Sequence, residues 1–265
     1  MTWFDVGVNL TNNRFQADLQ QVMERARQAG VAQMLITGTD EADSEQALML
    51  ADQWNCLSTA GVHPHYAAGV SEAYLTRIRQ LAGADRVRAI GECGLDFNRN
   101  FSPKEEQLRV FEAQLELATE LRLPVFLHER DAFAEQIRLL RRYRPALTGG
   151  VAHCFTGDRA QMEAYLELDL HIGITGWLCD DRRGQSLREA VLHLPLDRLL
   201  LETDAPYLAP RHVRPRIERN EPCHLPVVGS ELAALTGQEP VTIAQHSYDN
   251  ACRLFKPGHQ AHDQT

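Results

Sequence analysis

The sequence predicts an α/β fold of the TIM-type (β/α)8 kind, with residues 1–265 forming one domain. Three observations predict it. Strand-like and helix-like patterns alternate from end to end and yield eight strands, the pattern of a parallel sheet wrapped by helices. The length of 265 residues suits one such barrel and is long for a single sandwich. Five titratable residues fall at or just past the C-terminal ends of five of those strands, and in a barrel those ends share one face.

Taken in order, Trp3–Val8 is the first strand. Phe15–Ala29 follows as a helix: Phe15, Leu19, Val22 and Ala26 recur at helical spacing, and Gly30 stops it. Gln33–Thr37 is the second strand, and Glu41–Trp54 is helical, with Ala47, Leu48, Leu50 and Ala51 apolar. Leu57–Val62 is the third strand and runs into His63-Pro64-His65. After a helix over Glu72–Ala82, Val87–Gly91 is a short apolar fourth strand that stops at Glu92. Two glycines flank that carboxylate, and Asp96 follows close behind.

Ser102, Pro103 and Glu105 read as a capping box with a first-turn proline, opening a helix lined by Leu108, Phe111, Leu115 and Ala118. Pro124–Leu127 is the fifth strand, ending at His128. Asp131 is placed to cap a helix carrying Phe133, Ile137 and Leu140. Gly150–Ala152 is the sixth strand, ending at His153. Arg159–Leu168 is helical, Leu170–Ile174 is the seventh strand and Leu187–Leu194 is a helix. Arg198–Leu201 is the eighth strand and leads into Glu202-Thr203-Asp204. Helices over Pro226–Leu235 and Val241–Phe255 complete the chain, and the polar tail from Lys256 is expected to be disordered.

Charged residues at 24% and hydrophobic ones at 44% are ordinary for a globular protein, and no apolar run is long enough to span a bilayer. The N-terminus shows no basic segment ahead of an apolar one, so no export signal is expected. The six cysteines lack paired metal spacing and read as reduced thiols in the cytoplasm. A net charge of −9 argues against tight coating of nucleic acid. It leaves room for an enzyme that holds a phosphate chain briefly, through a metal and a local basic patch.

The strand-end residues are His63, Glu92, His128, His153 and Asp204. Buried charges at that density need a metal or mutual pairing. Imidazoles with a carboxylate suit a divalent transition metal, whereas carboxylate and water alone suit magnesium better. The residues therefore read as a metal-assisted hydrolase. Cys93 and Cys154 should be turned to the opposite face as packing residues, Gly91 and Gly94 read as turn residues, and His65 and His224 as surface residues beside prolines. Arg211, Arg214, Arg216 and Arg219 lie in a loop after the eighth strand, on the face that carries the chemistry, where guanidiniums suit phosphates. A solvated charged loop is the equal alternative.

At these residues the sequence resembles the TatD family of metal-dependent deoxyribonucleases. The matching segments are Gly61-Val62-His63-Pro64-His65, Gly91-Glu92-Cys93-Gly94-Leu95-Asp96, Val125-Phe126-Leu127-His128, His153-Cys154-Phe155-Thr156-Gly157, Glu202-Thr203-Asp204-Ala205-Pro206-Tyr207-Leu208 and Arg219-Asn220-Glu221-Pro222. With Phe4–Leu10 they cover nearly the whole chain, and their combination in this order is specific. The resemblance implies a divalent-metal-dependent phosphodiesterase in which Glu92, His128 and His153 hold metal. It implies that Asp204 is a ligand or the group that orients or deprotonates the attacking water, and that His63 contacts the scissile phosphate. It further implies a magnesium-dependent 3′-to-5′ exonuclease of single-stranded DNA linked to DNA repair, with RNA left open as a substrate and Mn2+ or Zn2+ as alternative ions.

Arg211, Arg214 and Arg219 would hold substrate, while Phe97, Phe101, Trp177 and Tyr207 follow strand ends where bases could stack on them. The expected partner is single-stranded nucleic acid, with no membrane and the chain a monomer. One departure stands out. The family carries a His-x-His pair on strand one, but here the positions read Gly7-Val8-Asn9. Gly7 offers no ligand and Asn9 at best a neutral oxygen, which leaves one good metal site and favours loosely held magnesium. A barrel hydrolase of amides, lactones or esters, and a non-catalytic metal- or partner-binding barrel, are the competing readings.

Overall fold

A computed structural model describes residues 1–211, 213 and 215–256. Arg214 and the tail beyond Lys256, on which two of the expectations rest, lie outside the described residues. The strands are β1 (Trp3–Val8), β2 (Val31–Ile36), β3 (Leu57–Ala60), β4 (Val87–Asp96), β5 (Val125–Arg130), β6 (Gly150–Ala152), β7 (His171–Ile174) and β8 (Leu199–Leu201). They form one parallel sheet in sequence order. The ends of β8 and β1 meet: Asp204 N–H donates to Gly7 O at 2.8 Å, Asn9 N–H to Ala205 O at 2.8 Å, and Val8 bridges to Ala205. The result is the expected eight-stranded barrel, nearly closed.

Between and after the strands run α1 (Leu19–Gln28), α2 (Glu41–Trp54), α3 (Tyr74–Ala82), α4 (Lys104–Leu121), α5 (Phe133–Tyr143), α6 (Arg159–Glu167), α7 (Gln185–Ala190), α8 (Leu225–Thr236) and α9 (Pro240–Phe255). Strand alternation divides the apolar residues into two layers. Phe4, Val6, Leu35, Leu57, Ala89, Phe126, Val151 and Leu200 fill the barrel, and the residues of opposite parity pack outward against the helices. Helix α9 closes the barrel floor. Its Ala251 and Phe255 join the inner layer, with the Phe255 ring 6.2 Å from that of Phe4. No described helix is long and apolar enough to cross a membrane.

Four local expectations are corrected. The first helix is shorter than Phe15–Ala29, because Phe15 belongs to a separate single turn that Asn12 caps, and α1 begins at Leu19. The capping box of α4 does not form; Ser102 Oγ instead donates to His65 O at 2.9 Å and accepts from Ala68 N–H. Asp131 does not cap α5 either. Glu129 accepts the Ala132 N–H at 2.7 Å, and Asp131 is engaged by Asn98.

The fourth correction matters most. Strand β4 does not stop at Gly91 but continues to Asp96, pairing Gly94 with His128 and Asp96 with Arg130. Gly91 and Gly94 are not turn residues. Both have positive φ (149° and 142°), and a Cβ at either would collide with the carbonyl of Phe126 or His128 on β5. They let β4 approach β5 closely while Glu92 points inward from the middle of the strand.

If α9 closes the floor, Phe255→Ala opens a cavity there. It is expected to lower the unfolding free energy by about 3–5 kcal/mol, read from urea denaturation; a loss under about 1 kcal/mol would contradict this packing.

Candidate active site

A cavity of about 1380 Å³ opens at the C-terminal end of the barrel, and His63, Glu92, His128, His153 and Asp204 all line it. Glu92 is its hub and is only 6% exposed. Glu92 Oε1 lies 2.9 Å from His128 Nδ1, 3.5 Å from His63 Nε2 and 3.8 Å from His153 Nε2. His153 Nε2 is in turn 3.9 Å from Asp204 Oδ1.

The ring nitrogens that point away from the hub meet carboxylates. His153 Nδ1 hydrogen-bonds Glu202 Oε2, and Glu202 Oε1 accepts the Cys154 N–H at 2.6 Å. His128 Nε2 lies 3.4 Å from Asp96 Oδ2 without a hydrogen bond between them, and that oxygen binds His65 Nε2 at 2.7 Å. Asp96 is held in turn by the N–H groups of Asn98 and Arg99 at 3.0 and 2.8 Å. Such outer carboxylates fix the tautomer and angle of a ligating imidazole.

His63 differs from the other two rings. Its Nδ1 accepts the backbone N–H of His65 at 3.1 Å, so the neutral ring carries its proton on Nε2, the atom facing Glu92. Ligand atoms of His63, Glu92 and His128 do lie within 4.8 Å of one another. A ring with Nδ1 engaged as an acceptor is nevertheless better suited to donate from Nε2 than to ligate from it. His128 Nδ1 and His153 Nε2 are not committed in this way, and with Glu92 they form a donor set that fits a divalent ion.

Burial and electrostatics separate the protonation states. Burial alone would raise the Glu92 carboxyl, but His63, His128 and His153 hold it well below the ordinary carboxylate value. Burial, the neighbouring His128 and His65 press His63 down to about 3. His128 and His153 resist the same burial because carboxylates flank them. Asp96 and Glu92 lift His128 to about 9, and Glu202, with Glu92 and Asp204, lifts His153 to about 10. Asp204 rises to about 7, chiefly through burial, with Glu92 and Glu202 adding to it and His153 opposing. Asn9 donates its side-chain N–H to Asp204 Oδ1 at 2.9 Å. Its amide therefore supports Asp204 through the donor end rather than offering its oxygen as a ligand.

Several expectations about individual residues change. Arg219 is not in the cavity. Its guanidinium is bound by Asp18 at 2.7 Å and Glu221 at 2.6 Å and lies over the Phe15 ring. Arg211 pairs with Asp180 at 3.1 Å and does not line the cavity either. Among the described residues, the guanidiniums that line it are those of Arg99, Arg130 and Arg183. Cys93 is buried as expected, but Cys154 lines the cavity, because β6 ends at Ala152 and a positive φ of 46° at Cys154 breaks the alternation. His65 faces Asp96 inside the cavity, and His224 is half-buried in the turn before α8, bonded to Glu221 N–H.

Phe101, Trp177 and Tyr207 line the cavity, joined by Tyr66, while Phe97 packs against the core beneath Lys104. Sequence reasoning missed Asp96, Glu202 and His65. Two signals were available: Glu92, Gly94 and Asp96 keep the strand period of two, and Glu202 opens the Glu-Thr-Asp segment.

A family model described as TatD-related DNase matches residues 4–256. The protein named 3′-5′ ssDNA/RNA exonuclease TatD from Dickeya dadantii is 52% identical over 259 residues, 96% of this chain and 98% of its own. The protein of the same name from Erwinia amylovora is 54% identical over 256 residues, 95% and 99% of the two chains. The crystal structure of a TatD homologue from Escherichia coli K12 superposes with a TM-score of 0.89 at 30% identity, covering 96% of this chain and 98% of that one. An organophosphorus hydrolase from Deinococcus radiodurans, with a TM-score of 0.62 at 15% identity and coverage of 96% and 92%, shares the fold alone.

Protein stripped of metal tests the electrostatics. His128 and His153 gain carboxylate partners on folding, so their folded values lie above the ordinary 6.5. The stability they contribute is fully present below about 6.5 and is lost as pH rises through about 9 and 10. In chelator-treated protein the urea midpoint should fall over that range, and fall less in His153→Gln. An equal fall in both proteins would contradict the pairing.

Proposed function

We propose, from the premise that this chain belongs to the TatD-related DNase family, that it is a divalent-metal-dependent 3′-to-5′ exonuclease of single-stranded DNA and RNA. We infer magnesium as its ion, DNA repair as its setting, and a cytoplasmic monomer as its working form. The observation that carries the reading is the convergence of His128 Nδ1 and His153 Nε2 on the buried Glu92 carboxylate, with Asp204 Oδ1 3.9 Å from His153 Nε2. Two relatives more than half identical over almost their whole length bear the name of a 3′-5′ ssDNA/RNA exonuclease. The six cysteines stand unpaired, which agrees with a reducing compartment.

In this reading Glu92, His128 and His153 hold the ion. When bound, a divalent ion supplies Lewis-acid polarisation of the phosphate and makes water more acidic. Asp204 is the base. Burial raises its carboxyl to about 7 in the ion-free protein, which makes its carboxylate a better proton acceptor than an exposed one. Asn9 and the Gly7 carbonyl hold it in place from strand β1. His63, neutral with its proton on Nε2, donates to a non-bridging oxygen of the scissile phosphate.

Tyr66, Phe101 and Tyr207, at 50%, 65% and 50% exposure around the cavity, offer faces on which unpaired bases stack. Stacking of this kind tolerates any base, as a non-specific exonuclease requires. Arg99 and Arg130 supply cations along the cavity wall.

A 5′-labelled single-stranded oligonucleotide with a free 3′ end should shorten one nucleotide at a time, and a duplex of the same sequence should resist. Chelation should abolish cleavage, and magnesium should restore it more fully than manganese or zinc. Internal cuts appearing before end products would sink the exonuclease assignment. Glu92→Gln and Asp204→Asn should keep the fold by circular dichroism and lose about 10²–10⁴-fold in kcat; wild-type kcat in either well-purified variant would remove that residue from the site.

A further inference from the structure

We propose that Glu202 is a positioning residue for this reaction: from a slot cleared by two glycines it dictates which nitrogen of His153 faces the cavity. The inference rests on the nuclease reading for its consequence, but its physical basis is independent of substrate.

Glu202 follows β8 directly and is fully buried. Among the described residues no lysine or arginine pairs with it. Its oxygens are divided between His153 Nδ1 and the Cys154 N–H. Burying a carboxylate in this way is costly unless its partners are fixed, and the chain makes space for it twice. A Cβ at Gly7 on β1 would collide with Glu202 Oε2, and one at Gly173 on β7 would collide with Oε1. Glycine at these two positions admits the carboxylate between its neighbouring strands.

The consequence for His153 is geometric. With Oε2 accepting from Nδ1, the neutral ring carries its proton there and turns an unprotonated Nε2 toward the space between Glu92 and Asp204. The Phe126 ring, 4.5 Å away, restrains the imidazole from a second side. The Glu202 to Cys154 bond keeps the carboxylate from rotating away. Gly7 thereby acquires a role as the clearance that lets Glu202 reach His153.

Glu202→Gln keeps the volume but cannot satisfy both contacts. An amide oxygen facing Cys154 N–H turns the NH2 group toward His153 Nδ1 and demands the opposite tautomer. Gly173→Ala displaces the carboxylate without altering it and without meeting the His153 ring. Each variant, in the full chain, is titrated with manganese(II) alone by calorimetry, and its 15N-histidine spectrum is recorded with the His153 signals assigned through His153→Gln. The expected results are a 10–100-fold loss of manganese affinity and, once the pH is raised until the His153 ring is neutral, a remaining proton on Nε2 where wild-type protein keeps it on Nδ1. The double variant should be no worse than the poorer single one, and on single-stranded DNA kcat should fall with KM little changed.

Wild-type manganese affinity with an unchanged His153 signal in folded Glu202→Gln overturns the proposal. If Glu202→Gln does not fold, Gly173→Ala decides by the same two measurements, and if neither folds, Glu202 is a structural closure residue and the proposal falls. Because affinity and tautomer are read without nucleic acid, a wild-type protein that cuts no strand would refute the nuclease reading and leave these results standing.

Discussion

A carboxylate buried without a lysine or arginine must be neutralised by something else, and the site depends on how this barrel does so for Glu92. Imidazoles from the ends of β3, β5 and β6 stand around it within 4 Å. In a region of low polarisability each such pair is strong, and each unpaired member is costly. The cluster is therefore stable only as a set. The same need for positive charge that draws protons onto His128 and His153 in the bare protein is what a divalent ion can satisfy.

The arrangement extends outward in layers of alternating sign. Glu92 attracts imidazoles, and two of those imidazoles are backed by Asp96 and Glu202. The backbone then supplies N–H donors to Asp96 and Glu202 in turn. Glycines at positions 7, 91, 94 and 173 recur wherever one of these groups or its strand needs clearance. His63 stands apart because its Nδ1 is already engaged by its own turn, which directs its one proton into the cavity; the other two rings turn toward Glu92 the nitrogens that an ion would take once their protons leave.

The basic residues show how proximity in sequence can mislead. A run of arginines after the last strand suggested a phosphate grip, yet Arg219 is locked into an ion-pair network with Asp18, Glu221 and Arg25 that ties the loop to α1. Guanidiniums are as useful for fastening a long loop as for holding a phosphate. The cavity instead draws its cations from the β4–α4 loop, the end of β5 and the turn before α7.

Strand and helix periodicity, together with the placement of titratable residues at strand ends, was enough to read the barrel, its catalytic face and the five residues that meet in the cavity there. Those features are local, because alternation of period two and the end of an apolar run are written in neighbouring positions. What remained hidden depended on contacts between distant segments. That β4 runs through Glu92 to Asp96 was decided by pairing with β5. The backing of His153 by Glu202 joins residues 49 apart in sequence. The clearance at Gly7 becomes meaningful only once β1 and β8 lie side by side. Which residues meet at the cavity was therefore legible in the chain, while the tautomer, charge and reach of each one were set by burial beside partners that only the closed barrel brings together.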